Sequence, residues 1–328
     1  MRSDRPVRAR LVVLTPVFNE AENLQAYCEA VSRVLFSRDD LDAEILFVDD
    51  GSSDASWKMI ETACALYPRQ IKGLRLSRNF GAHLALAAGF DHVRSDADIV
   101  ATLACDLQDP PETVISFVEK WRNGADIVWG ARRTRLDTGW RKVASGLMER
   151  VLRRFAMPRG SKFRTGSFLL MDRRVLNCFL QYREHNRVTF ALVAWTGFDQ
   201  SVVEYDRQQR VHGQSGWSFW AILNTAYDVF IGFSPLPAKF LTGLGFSVFL
   251  ASIMFIIYIM VIWFMRDVQS GWTGIMATLT FFFGLLFMMV GMIAEYLFRI
   301  FIETKSRPLY FIASRTPDEE PEQGSHDR

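Results

Sequence analysis

Apolar residues gather in short runs along the first half of the chain, each closed by Pro, Gly, Asn or Asp. The run over 11–14 stops at Thr15-Pro16 and that over 44–48 stops at Asp49-Asp50-Gly51, which predicts two buried parallel strands. Between them Leu24, Tyr27, Val31, Val34 and Leu35 recur at helical spacing over 22–36. The alternation continues with helices over 56–67 and 82–93 and strands over 71–76, 99–103 and 126–129, and with a helix started by Pro110-Pro111-Glu112. This repetition predicts an α/β domain: a mostly parallel sheet with helices on both faces, binding ligands at the carboxyl ends of its strands.

The second half is patterned differently. No Asp, Glu, Lys or Arg occurs over 240–265 or 268–294. Spans over 240–265 and 272–294 are each long enough to cross ~30 Å of hydrocarbon, and the short polar link at 266–271 makes them a two-helix transmembrane hairpin. Lys239 precedes the hairpin and Arg299, Lys305 and Arg307 follow it, against Arg266 in the link, so both chain ends are expected in the cytoplasm. The Trp- and Phe-rich stretch over 217–233 reads as an interfacial amphipathic helix or as an ordinary core helix. The expected organisation is a cytosolic domain over 1–216, an interfacial segment over 217–235, a membrane hairpin over 236–302 and a polar cytosolic tail over 303–328, disordered from Pro317. The polar, basic N-terminus carries no signal-peptide pattern.

With 38 Lys and Arg against 36 Asp and Glu, the net charge of +2 gives no reason to expect a nucleic-acid partner. The basic residues that do cluster, over 132–164, read as a solvated helix face or as a surface for anionic lipid headgroups. Cys28, Cys64, Cys105 and Cys178 are too scattered for a disulfide framework or a zinc site.

Three strand-end loops carry candidate chemistry. Thr15-Pro16-Val17-Phe18-Asn19-Glu20 and Asp49-Asp50-Gly51-Ser52-Ser53-Asp54 each combine a carboxylate with a flat or turning surface, suited to a base against Phe18 and a ribose near an acid. Helix capping by Ser53 or Asp54 is the competing use of the second loop. The third, Ala104-Cys105-Asp106-Leu107-Gln108-Asp109, offers carboxylate and amide oxygens suited to Mg²⁺ or Mn²⁺, which take further ligands from a diphosphate.

From PVFNEAENL through DDGSSD, LSRNFGAHLALAAGF, ACDLQDPPE, WGARR and RQQRVHGQSGWS to GMIAEYLFRIFIETKSRPLY, the chain resembles family 2 glycosyltransferases of the polyisoprenyl-phosphate branch. That resemblance implies a GT-A (Rossmann-like) fold and inverting transfer of a sugar from a nucleotide diphosphate, UDP with GDP as the alternative, to a polyprenyl phosphate. It also implies the cytosolic face of a bacterial plasma membrane as the location. By position, Pro16, Phe18, Glu20, Asp50 and Cys105 fall among the nucleotide-binding residues, and Asp106 and Gln108 at the metal. Arg132, Arg210 and Ser215 match positions around the diphosphate or lipid phosphate, with Asp106, Arg132 and Arg210 as the catalytic set; Asp206, Arg207 and His212 rank below them. No specific sugar and no oligomeric state follows, although spans of this kind commonly pack between subunits.

Two positions depart from the family pattern. Ala104 stands where the DxD motif has its first acid, leaving Asp106, with Asp109 as a second candidate, to hold the cation. Gly216 follows the serine of the RxxGxS loop where relatives often carry Lys. The alternatives are a processive polysaccharide synthase, disfavoured by the absence of QxxRW, and a catalytically weak nucleotide-binding scaffold, suggested by Ala104.

Overall fold

The computed structural model describes residues 5–133, 168–184, 188–208 and 271–317, with scattered helical positions between 246 and 261. Two compact units emerge: Met1–Val229 with Pro308–Arg328, and Phe230–Arg307.

In the first unit the described strands are β1 (Ala9–Val17), β2 (Leu41–Asp49), β3 (Ile71–Leu76), β4 (Ile99–Thr102), β5 (Ile127–Arg132), β6 (Leu169–Asp172), β7 (Gln200–Tyr205) and β8 (Ile312–Thr316). They form one sheet in the order β7-β5-β6-β4-β1-β2-β3-β8. β6 and β8 run against the other six, so the expected mostly parallel sheet is present. Leu11, Val12, Val13 and Leu14 are all fully buried; since successive side chains point to opposite faces, both faces of β1 are covered.

The helices follow from their spacing. α1 (Ala21–Val31) buries Leu24, Tyr27 and Val31 and runs into a π-helical turn over Ser32–Phe36. α2 spans Ser56–Leu66 and buries Trp57, Ile60 and Cys64. α3 (Ala82–Asp91) is rich in small residues because it lies close on β1: a Cβ added to Gly89 would come within 2.1 Å of the Leu14 side chain. α4 (Glu112–Arg122) starts after Pro110-Pro111, with Glu112 in its first turn and Lys120 and Arg122 in its last, as the helix dipole favours. Its apolar face of Val114, Phe117, Val118 and Trp121 is buried, and the Trp121 indole donates to Asp172 at 2.8 Å.

Several elements were not expected. β6, the following α5 (Arg173–Phe179), α6 (Thr189–Trp195) and β7 complete the sheet and its cover beyond the strand read at 126–129. The stretch read as a polar tail from residue 303 also holds structure: β8 pairs antiparallel with β3, Leu76 opposite Ile312 and Gly73 opposite Thr316. Its single large apolar residue, Ile312, gives an edge strand little hydrophobic signature.

In the second unit α7 (Trp272–Thr304) is a 33-residue helix, ten residues longer at its C-terminus than the span expected over 272–294. Among the described residues it is the one helix long and apolar enough to cross a membrane, over Phe281–Phe298. Phe281, Phe283, Val290, Ile293, Leu297 and Phe298 are exposed along it. Of the two spans expected, one is described as a continuous helix. The interfacial segment at 217–235, most of the first span at 240–265 and most of the basic run beyond Arg133 lie outside the described residues.

Candidate active site

The loops at the carboxyl ends of the strands meet along one edge of the sheet. After β1, Asn19 takes a positive φ of 53°, a region to which Asn is better suited than most residues. There its backbone N–H donates to the Ser52 hydroxyl at 2.9 Å and its side-chain oxygen accepts from the Ser53 N–H at 2.9 Å. The Glu20 N–H reaches the Ser56 hydroxyl at 3.0 Å and the Ala21 N–H reaches Asp54 at 3.2 Å. The polar residues of DDGSSD thus lock the β1 and β2 loops together, and Asp54 also accepts from the Ser56 N–H at 3.0 Å at the start of α2. The N-cap position itself is Ala55, so Asp54 holds the first helical N–H from one residue further out.

Asp49 and Asp50 have separate tasks. Asp49 is fully buried, pairs with Arg75 at 3.3 Å and accepts from the Ser52 N–H. Asp50 accepts from the backbone N–H groups of Phe80 and Gly81 at 2.7 and 2.8 Å, so it holds the loop after β3. Burial raises the pKa of both carboxyls above the usual carboxylate range against these hydrogen bonds. Gly51 between them and Ser52 is required twice over: its φ is +69°, and a Cβ there would come within 2.5 Å of the Arg78 backbone. Phe18 is 46% exposed beside this network, which leaves an aromatic surface open to a planar ligand. Pro16 is partly buried, and Glu20 accepts from the Asn23 amide at 2.5 Å.

The second half of the edge is charged. After β4, Leu107 takes a φ of 53°, a strained conformation for a bulky residue, and the turn brings the Gln108 N–H to Asp106 at 3.2 Å. The Gln108 side-chain oxygen accepts from the Arg207 guanidinium, and the Gln108 carbonyl accepts from the Gln208 N–H at 2.9 Å. Asp109, expected as a second metal ligand, is turned elsewhere: it is 2% exposed and accepts from the Tyr205 hydroxyl at 2.5 Å. Burial raises the Asp109 pKa, opposed by Tyr205 and by the positive charges of Arg132 and Arg207. Arg132, at the end of β5, lies beside the same Tyr205–Asp109 pair, where its positive charge acts on both groups. Burial and the neighbouring Arg132 charge lower the pKa of Arg207.

The structure places Asp106 and Gln108 on one turn, sets the Arg132 charge near Asp109 and Arg207, and makes Arg207, ranked lower in the sequence, a direct contact of Gln108. Cys105 is placed differently from its neighbours in the motif. It is 3% exposed in the main hydrophobic core, so its thiol faces the protein interior. Burial pushes the Cys105 thiol well above its ordinary pKa, as it pushes Cys28 to about 12 and Cys64 to about 11. Burial thus favours the protonated thiol at these three positions. Asp206 pairs with Arg133 at 3.1 Å on the surface. Arg210, His212 and Ser215 lie outside the described residues. Two contributors were missed: Tyr205, whose position at a strand end was the available signal, and the Phe80 and Gly81 amides, which a sequence does not display.

Among the described residues no three His, Cys, Asp or Glu gather to hold a metal alone. Asp106 and Gln108, on one turn, offer a carboxylate and an amide oxygen that already accepts from a cationic group. That donor set fits a hard divalent ion completed by phosphate oxygens and water, with Ala104 contributing nothing.

The Glycosyl transferase family 2 model matches residues 12–180. Over 305 residues the chain is 36% identical to an uncharacterized glycosyltransferase of Synechocystis, covering 92% of this chain and 94% of that protein. It is 34% identical to the bactoprenol glucosyl transferase of Shigella phage SfX, covering 93% and 99%. It is 31% identical to the undecaprenyl-phosphate 4-deoxy-4-formamido-L-arabinose transferase of Shewanella sediminis, covering 92% and 90%.

Proposed function

The chain belongs to glycosyl transferase family 2 and is a glycosyltransferase; from that premise we propose that it moves a sugar from a nucleotide diphosphate, UDP by preference, to a polyprenyl phosphate. The relatives named for bactoprenol and undecaprenyl phosphate support the acceptor. The observation that carries the reading is the meeting of Asp106, Gln108, Arg132 and Arg207 beside the Phe18 and Asp50 loops on one edge of the sheet. In a GT-A domain that edge takes the donor, with the base against Phe18 and the diphosphate among the charged groups.

The lipid phosphate monoester has a second pKa near ~6, so at neutral pH it is largely dianionic and attacks without a strong general base. Its oxygen forms a bond to the anomeric carbon as the bond to the nucleoside diphosphate breaks on the opposite face, which inverts the anomeric configuration. Arg132 and Arg207 bind phosphate oxygens in forked geometry and stabilise the charge that develops on the leaving diphosphate. Tyr205 and Asp109 hold Arg132 for that task. A divalent ion held by Asp106 and Gln108 supplies electrophilic stabilisation of the leaving group when bound.

An open sheet does not span a bilayer, since its edges would leave backbone N–H and C=O groups unpaired in hydrocarbon. β7 and β8 belong to one sheet on either side of the apolar segment, so the chain between them crosses the membrane an even number of times. This supports α7 as one arm of a hairpin with both ends on one face, and Lys239, Arg299, Lys305 and Arg307 flanking the apolar stretch favour the cytoplasmic face. The test is to incubate the full chain in lipid with radiolabelled UDP- and GDP-sugars and undecaprenyl phosphate, and then to extract the lipid. Label in a glycosyl phospholipid from one UDP-sugar is expected. Labelled polymer, or donor hydrolysis indifferent to lipid phosphate, would overturn the reading.

A further inference from the structure

The loop Ser77–Gly81 is held from two sides. On one, Asp50 accepts from the Phe80 and Gly81 amides, and Gly51 lies against the Arg78 backbone. On the other, the Phe311 carbonyl accepts from the Ser77 N–H at 2.9 Å, and the Phe311 ring meets the Phe80 ring at 6.5 Å between centroids. Phe311 immediately precedes β8, so the second hold comes from residues that lie beyond the apolar helix in sequence.

The same segment grips the end of α3. The Tyr310 hydroxyl donates to Asp91 at 2.8 Å, a carboxylate that also pairs with Arg183 at 3.0 Å. Arg315 lies 3.0 Å from the His92 ring nitrogen, and the Tyr310 and His92 rings meet edge-on at 6.2 Å. Loop and helix over 77–92 are therefore fixed at both ends by residues 310–316. Four of the contacts are between side chains, more than the backbone pairing of a sheet edge requires.

We propose that residues 310–316 are a positioning element of the donor site: they set the Ser77–Gly81 loop, and through its amides the carboxylate of Asp50. The chain between the end of α7 at Thr304 and Phe311 is short, so the segment that leaves the membrane part also completes the nucleotide pocket. Removing everything after residue 235 therefore damages donor binding as well as lipid glycosylation. The inference rests on the reading that the β2 and β3 loops take the nucleotide.

The test uses the full chain in nanodiscs, with UDP as the binding probe and transfer to undecaprenyl phosphate as the kinetic readout. Phe311→Ala combined with Tyr310→Phe is expected to weaken UDP binding and raise the donor KM about three- to tenfold, as the loss of one or two hydrogen-bond or ring contacts implies. kcat and the KM for lipid phosphate stay near wild type, and hydrogen exchange quickens at the 77–81 amides. Phe311→Leu restores most of the affinity. A double variant with reduced kcat or melting temperature but unchanged UDP affinity and unchanged exchange at 77–81 would overturn the proposal and leave β8 a purely structural strand. If the wild-type chain itself bound neither UDP nor GDP, the functional reading would fail instead.

Discussion

The loops after β1, β2 and β3 are joined by hydroxyls and backbone amides converging on a buried carboxylate, whereas those after β4, β5 and β7 meet through ionised side chains. In the first region Ser52, Ser53, Ser56 and Asn19 bond to backbone, and Asp50 is the organising acceptor. In the second, Asp106 and Asp109 face Arg132 and Arg207 with Gln108 and Tyr205 between them. The first arrangement fixes shape before any ligand arrives. The second is nearly balanced in charge, so a diphosphate brings an excess of negative charge that a divalent cation offsets. One region is built to bind, and the other to respond to charge that moves.

The sharpest way to break that comparison is Asp106→Asn, which keeps the shape of the turn and removes its charge. A fall in kcat of about 100-fold or more is expected, the size seen when one transition-state electrostatic group is lost, with UDP affinity in the absence of metal nearly unchanged. Equal losses in kcat and metal-free affinity would erase the distinction between the halves.

Asp50→Asn acts on the other half and is expected to do the reverse. It replaces one acceptor oxygen facing the Phe80 and Gly81 amides by a donor, so donor KM should rise roughly tenfold for the loss of one charge-assisted hydrogen bond, with kcat little changed. Steady-state kinetics at saturating lipid phosphate separates the two effects.

The smallest effect concerns the buried Asp109. Because its folded-state pKa is raised, the folded protein keeps a proton there that the unfolded chain has already lost above about pH 4. Stability therefore falls as pH rises from the ordinary carboxylate range through the raised value. Asp109→Asn should flatten that fall in urea-denaturation curves collected across the same pH range. An unchanged slope would mean that Asp109 does not titrate between these limits.

What the sequence made legible divides along similar lines. Strands such as 11–14 and 45–48 announce themselves because both faces are buried and every residue is apolar. The loops that follow them stand out because tight turns and ligand oxygens demand Gly, Asp, Asn and Pro at fixed places. β7 and β8 were missed because Gln200–Tyr205 and Ile312–Thr316 lie at the two ends of the sheet, where polar residues are tolerated. The partner of Asp109, a second candidate for the cation, was not legible, because only the fold shows that Tyr205 donates to it. Cys105 was misplaced because a motif fixes sequence neighbours and not the direction of a side chain.

The most direct measurement is a structure of the full chain with UDP and Mn²⁺ bound. The expected result is a diphosphate bridged by the ion to Asp106 and Gln108, contacted by Arg132 and Arg207, with uracil on Phe18. A diphosphate lying away from Asp106, with Arg207 still on Gln108 and the ion elsewhere, would contradict the charge clamp on which the proposed transfer depends.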